Sequence, residues 1–418
     1  MVRRSTLSFV CVVTALVVVA SATFGQQQQV LPRQNPFLTA TPLPNAAAVS
    51  TDQANKGPKL PVFTYTVISS RDGNTYTGTI VGASPFSDPQ GMVNVPTQIV
   101  PIIIVTNSVF AGVDKRGNVL TAPGVTTFDP TVPDTSCLTA PNDDPLTLVQ
   151  QSPIIGTADF TFGGIDVGTT QATNAFQRAN FFSLLTHGSQ GNSNNIVYQV
   201  LLDPVKTLSA VVINIPAASG VAYPSAAFGG CRTGKNAIID LGVLTTDLVN
   251  GLPGLASQGV NPSTFPIFLV HNIVECEGTG CAKLAPGTAC CVLGFHRASG
   301  MQTFGHVDFD TSDIFVSPVP DVSVMSHEVG EWMNDPFGHN PVPAWGHIGQ
   351  QPGCQGNLEV GDPLSGTLAP PIVMPNGFTY HLQELAFFSW FYGAPSLGVN
   401  GWFSDDGTFL QDAGPVCQ

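Results

Sequence analysis

The sequence has very few charged side chains. Only 10% of its 418 residues are Asp, Glu, Lys or Arg, against roughly a quarter in an average soluble domain. Lys and Arg together number 14, and Asp and Glu 28, so the formal net charge is −14. Binding to phosphate backbones or to anionic lipid surfaces needs clustered cations. The composition therefore argues against nucleic acid or an anionic membrane surface as the partner.

The sequence also lacks long apolar runs beyond its N-terminus, and several common functional motifs. The apolar run at residues 99–105 has only the length of a strand, so we expect no transmembrane segment in the mature chain. No nucleophile elbow of the G-x-S-x-G type, no phosphate-binding loop and no dinucleotide fingerprint is present. The chemistry must therefore rest on other residues.

The N-terminus has the pattern of an export signal. Arg3 and Arg4 precede an apolar stretch at residues 9–19, and Ala20-Ser21-Ala22 follows it. This order of basic, apolar and small residues is typical of a cleaved signal peptide. The alternative is an uncleaved membrane anchor, but the apolar stretch is short for a span of about 20 residues. We expect residues 1–22 to be removed and the protein to be secreted or periplasmic.

Cysteine usage agrees with export. Of nine cysteines one lies in the predicted signal, and the remaining eight could form up to four disulfides. Sequence alone does not choose among the 105 pairings that eight cysteines allow. Four of the eight fall within residues 276–291. A zinc ribbon would need two C-x-x-C knuckles, which this spacing lacks, so we expect a loop closed by disulfides.

The chain after the signal divides into a leader and one large domain. Residues 23–60 are rich in Gln, Pro, Asn and Ala and predict a disordered leader. From residue 61 the pattern becomes β, and two apolar stretches flank Asp72-Gly73, which is a strong hairpin signal. We expect a single α+β domain over residues 61–418, with a β-rich N-terminal part and a loop-rich C-terminal part.

Individual segments give more specific expectations. Residues 97–105 predict a buried strand, in which Pro101 indicates a bulge or an edge position. Residues 109–145 have turn chemistry and few periodic apolar positions. Helical spacing predicts helices at residues 170–185 and 241–252. Three histidines lie in strand-like runs, where a buried and hydrogen-bonded histidine is the usual outcome: His271, His296 and His306.

A helix with an H-E-x-x-E motif carries the strongest chemical signal. Apolar residues recur at helical spacing between Asp321 or Ser323, either of which can cap its start, and Pro336, which marks its end. Within it, His327 and Glu331 are four residues apart, so they project from one face and can meet one metal ion.

Glu328 occupies the position of a general base in this motif. It is rotated about 100° from His327, beside the position that an attacking water would take, as in zinc peptidases with H-E-x-x-H. A solvated acidic helix face is the simpler interpretation. Charge is scarce in this chain, however, and a second acidic pair follows at Glu359 and Asp362. We therefore favour a metal site.

The same segment resembles a known group of secreted proteins. Residues 326–336 read S-H-E-V-G-E-W-M-N-D-P and are followed by Ala344-Trp345 and by Glu359-Val360-Gly361-Asp362. This order is similar to secreted bacterial zincin-like proteins, known as metallopeptidase-like, and to plant exordium/phosphate-induced proteins, regarded as cell-wall growth proteins. The similarity covers about 40 of the 418 residues. It implies a zincin-like active-site helix, with zinc held by His327 and Glu331 and with Glu328 as the base.

The resemblance also bears on the surroundings of this helix. In zincins the strand before the active-site helix lines the substrate cleft, and residues 302–309 could fill that role. The candidates for a third metal ligand are Glu359, which opens the shared block and ranks first, then His339, and also Asp362 and His347. A catalytic zinc site has three protein ligands and an open position. Asp335 and Asp362 would also suit acceptors that orient a ligand.

Two functions from different classes follow. The first is an exported zinc-dependent hydrolase, most simply a metallopeptidase in which metal-activated water attacks a polypeptide and Glu328 takes the proton. The second is a secreted cell-surface or matrix binding protein whose metal site is structural. In that case the acidic residues would close the coordination sphere around zinc or around calcium, which prefers oxygen ligands.

Overall fold

The computed structural model describes residues 29–34, 59–134, 137, 143–186, 196–346, 354–393, 395–411 and 417. The predicted signal peptide, most of the predicted leader and His347 lie outside these residues. Within the described part of the chain, no helix has both the length and the apolar character that crossing a membrane would require.

The described residues form a mixed α/β fold rich in strands, which confirms the coarse prediction from sequence. The helices are α1 (Pro145–Gln150), α2 (Ala172–Asn180), α3 (Phe182–Leu185), α4 (Leu241–Leu255), α5 (Ser323–Asn334) and α6 (Phe388–Tyr392). The strands are β1 (Val62–Ile68), β2 (Thr75–Val81), β3 (Met92–Val113), β4 (Val119–Phe128), β5 (Ala158–Phe162), β6 (Ile165–Thr170), β7 (Gln199–Thr207), β8 (Val211–Ile215), β9 (Gly220–Pro224), β10 (Lys235–Asp240), β11 (Phe265–His271), β12 (Ile273–Glu277), β13 (Ala289–Val292), β14 (Gly294–Ser299), β15 (Gln302–Phe309), β16 (Pro341–Trp345), β17 (Gln355–Asn357), β18 (Ile372–Val373) and β19 (Thr379–Tyr380).

One large sheet is organised around β3, which is 22 residues long. Its order is β13-β12-β10-β9-β3-β11-β15-β14, and β4, β7 and β8 also pair with β3. The first half of β3 runs parallel to β7 and β11. The second half pairs with β4 in antiparallel fashion and with β8 and β9 in parallel. The long strand thereby joins the two halves of the sheet.

Two expectations about this region are corrected. Residues 109–145 were expected to consist of turns, but β3 continues to Val113 and β4 pairs with it, because cross-strand pairing supplies order that the sequence pattern does not show. Pro101 lies inside the sheet instead of at a bulge or edge. On one side of β3 the partner strand changes from β7, which ends with the pair Ile99–Thr207, to β8, which begins with the pair Ile102–Val211. Pro101 lies between these two pairs. The N–H that proline lacks is therefore not needed by either the β3–β7 or the β3–β8 ladder.

The sheet is covered on both faces. Strand β11 is buried along its whole length; Ile267 and Leu269 belong to one hydrophobic cluster, and Phe268 and Val270 to the other. Helix α5 packs in the first cluster and α4 in the second. Continuous apolar runs of this kind are typical of parallel strands buried on both sides. The helix with the H-E-x-x-E motif is therefore held deep inside the protein.

Helix α5 rests on the edge of the sheet formed by β14 and β15. The Trp332 ring stacks on Phe265 at 3.7 Å between centroids, and its Nε1 donates to Thr303 Oγ1 at 3.0 Å. Residues 302–309 were expected to line a cleft beside this helix. They form β15, which lies between β11 and β14. The edge position belongs to β14, which runs antiparallel to β15.

Part of the predicted leader is ordered. Leu31 is buried and its N–H donates to Ala227 O, while the Gln34 N–H donates to Ile314 O. Arg33 also pairs with Asp313. Residues 29–34 therefore depart from the prediction of a disordered leader, because an apolar side chain and the backbone find partners on the domain.

The described cysteines form four disulfides, which confirms that prediction. The pairs are Cys137–Cys231, Cys276–Cys281, Cys290–Cys291 and Cys354–Cys417. Two of them lie within residues 276–291: one closes the short loop 276–281, and the other joins two adjacent residues. Several disulfides in one chain indicate an oxidising environment.

Candidate metal centre

Aspartate side chains accept backbone N–H groups at both ends of helix α5. No side chain caps its N-terminus, contrary to the expectation for Asp321 or Ser323. Asp321 Oδ1 instead accepts the N–H groups of Val322 and His381. At the other end, the Asp335 carboxylate accepts the N–H groups of His339 and Asn340 at 2.9 and 2.8 Å. The turn at Asp335 directs the chain away from the C-terminal end of α5, shortly after the H-E-x-x-E motif.

His327 and Glu331 lie on one face of α5, as their spacing predicted. His327 Nε2 is 3.1 Å from Glu331 Oε1. The same carboxylate oxygen accepts the N–H groups of Gly361 and Asp362 at 3.1 and 3.2 Å. Burial by itself would raise the pKa of the Glu331 carboxyl, but His327 and His296 outweigh this and lower that pKa to about 2. Glu331 is thus a fixed, ionised acceptor.

Asp362 joins this pair from the segment after β17. Its Oδ1 is 3.7 Å from His327 Nε2, and its Oδ2 accepts the Gln355 Nε2–H at 3.0 Å. Oxygen and nitrogen atoms of His327, Glu331 and Asp362 all lie within 4.8 Å of one another. Gly361 permits this approach, because a Cβ at that position would lie 2.4 Å from His327 Nδ1. We call these three residues the His327 group.

A second group lies beside the first and shares Glu331. His296 on β14 places its Nδ1 3.5 Å from Glu328 Oε2 and 3.6 Å from Glu331 Oε2. Its Nε2 is 3.0 Å from Asp335 O, a distance at which it donates a hydrogen bond. His296, Glu328 and Glu331 again lie within 4.8 Å of one another. We call them the His296 group.

Glu328 faces both histidines. Its Oε1 is 3.9 Å from His327 Nε2, and its Oε2 points to His296. Strand β14 comes close to it: a Cβ on Gly294 would lie 2.8 Å from Glu328 Cγ. Burial raises the pKa of the Glu328 carboxyl. The predicted base is therefore a member of the His296 group, and its Oε1 faces His327 of the other group.

Two other predicted ligands are not among the three residues of the His327 group. Glu359 Oε2 is 3.7 Å from His296 Nε2, and Glu359 Oε1 accepts a hydrogen bond from Asn357. Glu359 is therefore a neighbour of His296. His339 is exposed, and its Nδ1 contacts Phe337 O at 3.1 Å. Of the candidates for a third ligand within the described residues, Asp362 is the one that the structure brings to His327 and Glu331.

Several side-chain atoms of both groups, and one of the neighbouring Glu359, are buried and lack hydrogen-bond partners among the described residues. They are His296 Nδ1, His327 Nδ1 and Nε2, both Glu328 oxygens, Glu331 Oε2, Glu359 Oε2 and Asp362 Oδ1. A buried polar atom without a partner costs about 1–3 kcal/mol. So many in one buried cluster make it a candidate site for a cation.

The electrostatics agree with that conclusion. Burial and the neighbouring carboxylates raise the pKa of the Asp362 and Glu359 carboxyl groups well above their usual range. Burial would lower the pKa of His327, but Glu331 and the other carboxylates raise it to about 10. Binding of a metal to such a cluster would therefore be coupled to the release of protons.

Comparison with known proteins returned no match: no family model, no curated protein and no solved structure is similar enough to the chain to support an assignment.

His296 is the site residue that sequence reasoning missed. Its place in a strand-like run indicates a structural histidine, and its role depends on β14 being the sheet edge beside α5, a long-range feature. The glycine two residues earlier was the available signal, since glycine inside a strand often marks a close approach of another element. In the structure, a side chain at Gly294 would collide with Val324 and Glu328.

Proposed function

We propose that the protein is an exported, zinc-dependent hydrolase that acts on polypeptides. The observation that carries this proposal is the His327 group. Ligands on a tetrahedral zinc ion at the usual bond lengths of about 2.0–2.2 Å lie about 3.4 Å apart. His327 Nε2 is 3.1 Å from Glu331 Oε1 and 3.7 Å from Asp362 Oδ1. The donor set of one imidazole and two carboxylates suits a catalytic zinc ion.

The protein's own residues have distinct tasks in this scheme. His327, Glu331 and Asp362 would hold the ion, and the backbone N–H groups of Gly361 and Asp362 fix Glu331. A bound zinc ion would polarise the substrate carbonyl and make water more acidic. Glu328 Oε1 lies 3.9 Å from His327 Nε2, where it would accept the proton of the attacking water and return it to the leaving amine.

A cavity that reaches Ser326, the residue before His327, offers space for a substrate side chain. It has a volume of about 260 Å³ and is lined by Phe160, Phe176 and Ser326, among others. Gln383 also lines it and donates to Gly361 O at 2.7 Å. The same side chain therefore contacts both the cavity and the segment that carries Asp362. Aromatic walls of this kind suit an apolar side chain of a polypeptide.

The burial of the site favours a second candidate function. His296, His327, Glu328 and Glu331 are fully buried, whereas a peptidase needs its metal within reach of substrate. A secreted binding protein with a structural metal fits this closure. Calcium suits such a site less well than zinc, because calcium takes six to eight oxygen ligands and two imidazoles point into this one.

Export supports either function. The order of basic, apolar and small residues at the N-terminus would direct the chain out of the cytoplasm. The four disulfides agree with an oxidising compartment. The partner is then a polypeptide substrate or a component of an extracellular surface.

The test compares wild type with Glu328→Gln, which keeps the shape of the side chain and removes the base. We expect the ion of the His327 group to remain, measured by elemental analysis. Cleavage of a peptide library, followed by mass spectrometry, should fall by roughly 10²–10⁴-fold, the usual contribution of a positioned base. Glu277→Gln, at an exposed position, is the matched control and should cleave as wild type does.

The contrary outcome is also defined. If wild type binds zinc stoichiometrically but cleaves nothing in the library, and Glu328→Gln behaves identically, the hydrolase proposal fails. The binding protein with a structural metal then replaces it.

A further inference from the structure

The His296 group also contains buried atoms that lack hydrogen-bond partners among the described residues. Because His296 Nε2 donates its proton to Asp335 O, Nδ1 carries the lone pair in the neutral ring. That lone pair faces carboxylate oxygens of Glu328 and Glu331 at 3.5 and 3.6 Å. Neither oxygen forms a hydrogen bond with it, and Nδ1 is fully buried without a partner among the described residues. Three atoms that can serve as metal ligands therefore lie close together.

The spacing of these atoms is that of metal ligands. Both distances are close to the edge of about 3.4 Å that a tetrahedral zinc site would have. The hydrogen bond from Nε2 to a backbone carbonyl is the contact that commonly fixes the ring of a metal-binding histidine. The nitrogen–oxygen distances around His296 are thus similar to those in the His327 group, although His327 itself is not among these atoms.

Two carboxylates connect the groups. Glu331 directs Oε1 to His327 and Oε2 to His296. Glu328 likewise directs Oε1 to His327 and Oε2 to His296. In two-metal sites the ions lie about 3.5–4 Å apart, a separation that a carboxylate spans with its two oxygens. With Glu359 beside it, the whole cluster holds four carboxylates and two imidazoles, the set found in di-iron and di-manganese carboxylate centres.

The negative charge of the cluster also favours a second cation. When ionised, Glu328, Glu331, Glu359 and Asp362 carry four negative charges, and all four are buried. One divalent ion leaves two of these uncompensated. Asp335 is a further buried acid, held by two backbone N–H groups. Arg297 contributes one positive charge beside Glu328, which is not enough to offset the remainder.

We propose that the protein binds a second divalent cation, held by His296 Nδ1, Glu328 Oε2 and Glu331 Oε2, so that Glu331 bridges two ions. This inference rests on the metal site of the proposed function and extends it from one ion to two. Zinc and manganese are the ions that suit imidazole together with carboxylates.

The first test uses the exported chain with its disulfides intact. After chelation and removal of the chelator, the protein is loaded with Zn²⁺ alone and freed of excess metal, and the bound ions are counted by elemental analysis. We expect two per chain in wild type and one in His296→Ala. His339→Ala removes an exposed histidine and should keep two.

The second test begins with wild type and so does not depend on how His296→Ala folds. Wild type loaded with Mn²⁺ alone should give the electron paramagnetic resonance spectrum of an exchange-coupled pair. Glu328→Gln, which loses one oxygen of the second position and retains the His327 group, should give the six-line spectrum of an isolated ion.

The outcomes separate this inference from the proposed function. One zinc in wild type and one in His296→Ala, with an uncoupled manganese spectrum, overturns the second site and leaves the first. No zinc in folded wild type overturns both. Two zinc ions that both survive in folded His296→Ala also overturn the assignment, because the second ion then lies elsewhere.

Discussion

Two buried places in this protein bring histidine and glutamate together, and they differ in one respect. On the sheet, His306 Nε2 and Glu275 Oε1 are 2.7 Å apart and share a hydrogen bond. At the candidate metal centre, histidine nitrogens and carboxylate oxygens stay 3.1–3.9 Å apart without one. One nitrogen and one oxygen of the first pair satisfy each other, the usual outcome for buried polar groups, while Glu275 Oε2 and His306 Nδ1 lack partners among the described residues. The second arrangement has no such direct hydrogen bond, and its spacing is close to that of ligands around a cation.

Removing one glutamate from each place tests this difference most directly. Glu331→Ala deletes the carboxylate shared by both groups, so bound zinc should fall from stoichiometric to background. Glu275→Ala should leave zinc unchanged and lower the free energy of unfolding by about 1–3 kcal/mol, because it leaves buried His306 without its partner. Elemental analysis and urea unfolding give the two readouts.

Glu331→Gln shows whether metal is lost because the charge is removed or because the backbone hydrogen bonds to Glu331 are removed. It retains an oxygen for the N–H groups of Gly361 and Asp362 and should still lose the metal, because the charge is gone. If Glu275→Ala empties the site as completely as Glu331→Ala does, the distinction between a closed pair and an open ligand array is wrong.

A finer test concerns how tightly the surroundings fix His327. Gly361→Ala would place a Cβ 2.4 Å from His327 Nδ1, so the ring must shift. We expect zinc affinity to fall by about 10–100-fold, as it does when contacts behind a metal ligand are disturbed. Competition with a chromophoric chelator measures it. Gly356→Ala is the control, because its Cβ would meet nothing closer than Val342 O at 4.0 Å, and it should bind zinc as wild type does.

The fold and the site were predictable to different depths. The hairpin of β1 and β2 has the residues that its sequence pattern indicated, since the turn and the alternation are local. Helix α5 and the facing pair His327 and Glu331 were likewise local, set by a spacing of four residues.

The features that could not be predicted depend on distant contacts. Strand β4 has little apolar periodicity and is ordered by β3. His296 reaches the site from a sheet edge and Asp362 from the segment after β17, so no local spacing could place either beside α5. Their approach follows from tertiary packing, which Gly294 and Gly361 allow.

The smallest expected effect concerns a pair outside the metal centre. His381 Nδ1 lies 2.6 Å from Asp321 Oδ2, and this hydrogen bond raises the pKa of His381 above its usual value, although partial burial opposes the shift. A raised histidine pKa contributes stability that is fully present below the unfolded pKa of about 6.5 and is lost as the pH rises through the folded pKa. Because the ring is partly exposed, solvent screening limits the contribution to roughly 0.5–1 kcal/mol.

Replacing this histidine should therefore matter more in acid than in base. His381→Gln should lower the free energy of unfolding more at pH 5.5 than at pH 8.5, measured by urea unfolding with zinc saturating, because only the protonated ring is held by the Asp321 charge. His339→Gln, at an exposed position, should show no such difference. An equal loss for His381→Gln at both pH values would mean that the Asp321 contact acts without charge.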